Sequence, residues 1–322
     1  MKLARTLLAV CLCLTAIAGF AQKGQNNPLF RFATKAEAQM LITDIDQYTN
    51  GWNQFDINVR MQTNEGRKSQ LLTLAMSCVQ NWSDADKKKV TNAFNGVIAS
   101  IKKQKLTLHY PDEIVLIKTS MQEEGGADAY TRKNWIAISE NVLNNAQETQ
   151  LKSLVAHELF HILTRYDLNF KKAVYQTIGF TVLDREIIFP TDLMEKRISN
   201  PDISRYDSYA PFTVNGTTQN YTMVTYTDRP YEGGGLFDYM KFGLVPLNEH
   251  FVPVQENSKT VIIPIEQAED FYEKIGKNTE YIVNPEEILA DNFASLIMEK
   301  KGLPNPEVID RIREVLKKNK LR

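Results

Sequence analysis

Cysteine is nearly absent from this chain, and the shortage removes one means of holding a fold together. Of the three cysteines, Cys11 and Cys13 fall in an apolar leader, so a processed chain keeps Cys78 alone and can form no internal disulfide. Stability must then come from a buried core, and roughly 300 residues are enough to build one. A basic excess is missing as well. There are 38 Lys and Arg against 39 Asp and Glu, and losing the leader removes Lys2 and Arg5 but no acid, so the balance moves from −1 to 36 − 39 = −3. Nothing in that balance supplies a field for nucleic acid or anionic lipid. Beyond the leader no apolar run is long enough to span a bilayer, so a soluble product without a stable membrane anchor is expected. Internal repeats and low-complexity segments are lacking too.

What is present begins with that leader. Lys2 and Arg5 precede a short apolar run from Leu7 to Ala18, and Gly19 and Ala21 put small residues before a break. This predicts a secretory signal peptide over residues 1–21 and export to the periplasm or the extracellular space. Cys11 allows a lipoprotein alternative, but Val10 ahead of it is bulky and little apolar chain precedes it.

Residues 22–105 read as a helical N-terminal region. Thr34 can cap a helix carrying Ala36, Met40, Leu41 and Ile45; a second is expected over 69–79. A third, over 83–103, has Ser83 as its cap and Val90, Phe94, Val97, Ile98 and Ile101 as its buried stripe. Nothing in this region announces chemistry. From residue 113 the period changes: 114–119 reads as a strand, 123–127 as a turn and 129–138 as one further strand. Shorter strands are expected over 222–227, 244–247 and 261–265, and a helix over 267–274. Residues 168–180 read as helix or long loop, Asn200-Pro201-Asp202 as a turn, and Gly233-Gly234-Gly235 as a flexible turn without the Lys of a phosphate loop. The fold class expected for 106–322 is therefore α+β.

Histidine is scarce, with four in the chain, yet two of them stand in His157-Glu158-Leu159-Phe160-His161. On a helix, residues four apart share a face, so both imidazoles can reach one metal ion. Leu154, Val155, Leu159, Phe160, Ile162 and Leu163 make this helix apolar nearly all round, which predicts a buried element. Catalytic zinc takes three protein ligands and a water, and a carboxylate beside the first His can accept that water's proton, the role expected of Glu158.

A third ligand is needed. Asn284-Pro285-Glu286-Glu287 opens a second helix, with Glu287 and Asp291 on one face. Glu287 can ligate the ion while Asp291 takes the free N–H of a ligating His. Glu286 points to a neighbouring helix face. Asp167 is the competing carboxylate, and His250 lies in a segment without an assigned element. For the donor that steadies a developing oxyanion, Tyr226, Tyr231, Tyr239, Arg229 and His250 are candidates.

The His157–His161 pattern resembles the active-site helix of the zincin metallopeptidases, and Glu287-x-x-x-Asp291 resembles the third-ligand helix of the gluzincin branch, although 287 − 161 = 126 residues separate it from the second His. The resemblance implies a zincin-like core of small twisted sheet and active-site helix, one Zn2+ on His157, His161 and Glu287, and Glu158 as general base. It also implies peptide or protein substrates paired along an edge strand, here 130–138. A binding protein on the same scaffold and a zinc amidohydrolase acting on a non-peptide amide are the alternatives; an intact Glu158 speaks against the first.

Overall fold

Where the hydrophobic period changes from helical to alternating, the chain enters the sheet that carries the rest. The computed structural model describes residues 30–318, so the leader lies outside the described residues. The N-terminal third contains β1 (Phe30–Phe32), α1 (Lys35–Ile42), α2 (Gln47–Asn50), α3 (Gln54–Met61), α4 (Lys68–Cys78), β2 (Val79–Gln80) and α5 (Asp84–Lys103). Side-chain caps start four of its helices: Thr34, Asp46, Asn53 and Ser83 each accept a first-turn N–H. Next come β3 (Ile114–Thr119), β4 (Ala129–Arg132), β5 (Trp135–Ser139), α6 (Glu140–Asn145) and α7 (Glu148–Tyr166).

These strands form one five-stranded mixed sheet in the order β1-β3-β5-β4, with β2 beside the end of β3. All six residues of β3 are buried because both faces are covered. Ile114 and Leu116 pack with Val90, Phe94, Val155 and Leu159 on the side of α5 and α7. Val115 and Ile117 pack with Ala38, Ile42 and Ala75 on the side of α1 and α4. The region expected to be only helical thus supplies two strands to the sheet and shares its core. The stretch expected as a single strand over 129–138 is a hairpin: β4 turns back through Lys133 (φ 48°), and Thr131 faces Ile136 across the pair.

The remaining chain comprises α8 (Leu168–Gln176), β6 (Thr181–Val182), α9 (Thr191–Met194), β7 (Ser208–Val214), β8 (Thr217–Tyr226), β9 (Lys241–Pro246), β10 (Gln255–Glu256), β11 (Lys259–Thr260), β12 (Ile263–Pro264), α10 (Phe271–Ile275), α11 (Pro285–Ile297) and α12 (Pro306–Lys318). A second, antiparallel sheet runs β12-β9-β8-β7-β6. Asn215 and Gly216, with φ of 50° and 72°, make the tight turn between β7 and β8. The strands expected near 222 and 244 are there but begin earlier, and only two residues of 261–265 pair as a strand. The molecule is a mixed α+β fold in which α7 lies between the first sheet, α5 and α11. Among the described residues no helix is long and apolar enough to cross a membrane.

One buried ionic network ties the N-terminal helices to the loop after α9. Arg60 donates to Glu124 at 3.0 Å, to Asp56 at 3.0 Å and to the Ser199 carbonyl at 2.7 Å, while Asp56 accepts from the Ser199 N–H at 2.9 Å. Replacing Arg60 by Met leaves two carboxylates buried without their cation. We expect about 3–5 kcal/mol of lost stability in urea unfolding. A loss below about 1 kcal/mol would show that the network does not hold this loop.

Candidate metal centre

Most of α7 from Leu151 onward is core, with Leu151, Val155, Ala156, Leu159, Phe160, Ile162 and Leu163 buried, while Gln150, Ser153, Leu154 and His157 face a cleft. The two imidazoles therefore sit within the protein, one turn apart, with ring centroids separated by 4.9 Å. Opposite them is the N-terminus of α11. Asn284 caps it by accepting the Glu286 N–H at 3.0 Å, Pro285 occupies its first turn, and the helix dipole favours the two acids that follow.

Glu287 reaches both histidines with one oxygen. Its Oε2 lies 3.1 Å from His157 Nε2 and 3.5 Å from His161 Nε2. Its Oε1 accepts from Asn200 Nδ2 at 2.6 Å. The outward nitrogens have partners of their own: His157 Nδ1 is 2.9 Å from Asp291 Oδ1, and His161 Nδ1 is 3.1 Å from Glu286 Oε1. Each ring is thereby fixed with Nε2 turned inward. His161 Nε2 is fully buried and, among the described residues, meets only Glu287 Oε2 at 3.5 Å, too long for a good hydrogen bond. One ligand atom each from His157, His161 and Glu287 lies within 4.8 Å of the other two, the spacing a shared metal ion requires.

No family model, curated protein or solved structure matches this chain. What the centre can do has to be read from its own groups.

Glu158 is buried beside the three, and its Oε2 accepts from Thr131 Oγ1 at 2.6 Å. Burial is the main influence pushing its carboxyl above the ordinary range, the direction that suits a proton acceptor working near neutral pH. Burial opposes charge on the histidines, yet their carboxylate neighbours prevail. His157 rises well above 6.5 through its bonds to Asp291 and Glu287, and His161 is pushed up to about 10 by Asp202, Glu287 and Glu286. The two imidazoles in turn hold Glu287 well below the usual carboxylate range against its burial. Five carboxylates, of Glu158, Asp202, Glu286, Glu287 and Asp291, surround two imidazoles. Such a set calls for a cation.

The structure brings His157, Glu158, His161, Glu287 and Asp291 together as the sequence suggests, and it corrects other expectations. Glu286 does not point away: it holds His161, and it also accepts from Thr164 Oγ1 and Tyr175 OH. The crossing of α11 over α7 causes this, since two rings one turn apart meet two consecutive acids. Asp167 is elsewhere, 2.7 Å from His109 Nδ1 and capping α8. Of the oxyanion candidates, none lines the cleft. Tyr231 and Tyr239 pack with Phe55, Arg229 stacks on Tyr239, and His250 is exposed.

That cleft, about 660 Å³, is lined by Gly126, Asp128, Ala129, His157, Glu158, Asp202, Phe237, Tyr281, Glu287 and Asp291 among others. Tyr281 was not singled out by the sequence, yet its ring stands 6.5 Å from that of His157. The turn at Asn200-Pro201-Asp202 proves to be the roof of the site. Asn200 holds Glu287, and Asp202 Oδ1 accepts the Thr131 N–H at 2.6 Å. The expected substrate edge over 130–138 is revised accordingly. β5 is interior, between β3 and β4, and the N–H that Thr131 turns away from β5 is already bonded. Of the cleft-lining stretch before it, Gly126 and Ala127 donate to the Met121 and Glu124 carbonyls and Asp128 accepts from Ser139, so the outward main chain left to the cleft is that of Ala129.

Proposed function

We propose that this cleft is the active site of an exported zinc metallopeptidase on a zincin-like core of the gluzincin type. The observation that carries the reading is the buried Nε2 of His161, which with His157 Nε2 faces one oxygen of Glu287. Two imidazoles and one carboxylate are the donor set of a catalytic His2Glu zinc site, and Asp291 and Glu286 supply the outer hydrogen bonds such ligands need. When bound, the ion supplies Lewis acidity, polarising a carbonyl and acidifying a water. The chain's own residues do the rest. Glu158, oriented by the Thr131 hydroxyl, takes a proton from the attacking water and passes it to the leaving amine. Tyr281, at the cleft wall, is the group assigned to steady the developing oxyanion with its O–H. Ala129, at the start of β4, offers the main-chain groups with which an extended peptide pairs.

Metal analysis combined with cleavage of a mixed peptide library tests the reading. The expected result is stoichiometric zinc and peptide cleavage that a chelator abolishes and added zinc restores. A folded protein that binds no zinc, or that binds zinc and cleaves no peptide, overturns it.

A further inference from the structure

Three arginines are buried among the described residues, and one differs from the others. Arg60 and Arg132 are each paired with carboxylates, Asp56 and Glu124 for the first and Asp46 for the second. Arg197, 9% exposed, forms no ion pair among the described residues. Its backbone is held in place: its N–H donates to the Leu193 carbonyl at 2.8 Å and its carbonyl accepts from Asn53 Nδ2 at 2.7 Å. Its guanidinium is held as well, Nη2 donating to the Gly51 carbonyl at 3.3 Å and the charged carbon standing 5.0 Å from the Tyr206 ring. Nε has no partner. Nor has the buried hydroxyl of Tyr206.

Both residues line a pocket of about 410 Å³ on the far side of the site roof, with Ile187, Phe189, Ile203 and Asn200 also in its wall. A buried cation with no carboxylate at ion-pair distance among the described residues is costly, and a fixed guanidinium fork matches a carboxylate. We propose that this pocket binds a monocarboxylate carried on an apolar body. The apolar part lies against Ile187, Phe189 and Ile203; the anion meets the Arg197 guanidinium. A phosphate is disfavoured by the wall itself, where Arg197 is the one cation and Glu186 adds a negative charge. The carboxylate can belong to a free small acid or to the C-terminus of a peptide. The proposal stands apart from the metal centre, although Asn200, whose amide holds Glu287, is common to both.

The test uses the full chain stripped of metal with a chelator, so that no acid can bind through zinc. Calorimetric titration compares 3-phenylpropanoate with its amide, and N-acetyl-leucyl-leucine with its C-terminal amide. At least one acid is expected to bind about 10- to 100-fold more tightly than its amide. Preference for phenylpropanoate identifies a free acid as the ligand; preference for the dipeptide acid identifies a peptide terminus. Arg197→Gln removes the cation, and Ser204→Trp puts a bulky ring into the pocket wall while leaving the Arg197 side chain unsubstituted; each is expected to abolish the acid preference. If neither acid binds more tightly than its amide, or if the preference survives in either variant while circular dichroism shows it folded, the proposal is wrong. Should Arg197→Gln fail to fold, Ser204→Trp decides.

Discussion

Glu158→Gln is expected to fold, to retain zinc at wild-type stoichiometry and to lose about three orders of magnitude or more of peptide hydrolysis. The amide matches the carboxylate in size, and its oxygen can still accept from Thr131 Oγ1, which lies 2.6 Å from Glu158 Oε2. The inward-facing groups of His157, His161 and Glu287 are untouched, so metal retention should not change. The substitution removes a carboxyl whose charge burial already disfavours, so the fold should not suffer. What disappears is the proton acceptor. Loss of a general base alone typically costs about 10²- to 10⁴-fold, and here the same residue also returns the proton to the leaving amine. Metal content, circular dichroism and kcat/KM on one peptide substrate check the three parts together. Activity within about tenfold of wild type in a zinc-loaded variant would remove Glu158 from its role.

The parts of the site that could be read in the sequence are those built by local geometry. His157 and His161 share a face because four residues make about one helical turn, and that relation holds wherever the helix lies. Glu287 and Asp291 could be paired for the same reason, and the Asn284 cap with Pro285 marked the start of their helix. What depends on how two elements cross was not readable. Glu286 serves His161 only because α11 meets α7 at that register, and a helical wheel of α11 alone turns it aside. Asn200 and Asp202 are further from prediction, because Asn-Pro-Asp is a common turn and nothing local shows that this one closes over a cleft.

The fold divides along the same line. In the first third α1 and α5 were visible through Thr34, Ser83 and an apolar stripe, all local signals, whereas the short α2 and α3 were not expected. β1 and β2, of three and two residues, carry no pattern of their own and exist because β3 pairs with them. The hairpin at 129–139 was hidden for a different reason. Its turn places Lys133 in the left-handed region, where Gly or Asn is the usual signal, so the alternating run looked unbroken. Tyr281 lies in the loop before α11, outside any periodic segment, and only the closed cleft brings it within 6.5 Å of His157.

Glu287→Ala is expected to abolish stoichiometric zinc in a folded chain, whereas Asp167→Ala keeps it. Two imidazoles without a third protein ligand do not make a catalytic zinc site, and Glu287 is the carboxylate facing both inward nitrogens. Asp167 lies against His109 instead, so its loss costs a helix cap and an ion pair but no ligand. The outer carboxylates separate ligation from support. Asp291→Asn and Glu286→Gln leave all three inward groups in place and only weaken the bonds that orient the rings, so zinc affinity should fall about 10- to 100-fold without disappearing. Competition against a chelator of known affinity, with metal counted by mass spectrometry, reads all four variants on one scale. The order expected is Asp167→Ala nearest wild type, the two outer variants between, and Glu287→Ala last. If Glu286→Gln or Asp291→Asn falls below Glu287→Ala, the ion is held by a different carboxylate, and the site must be rebuilt around that residue.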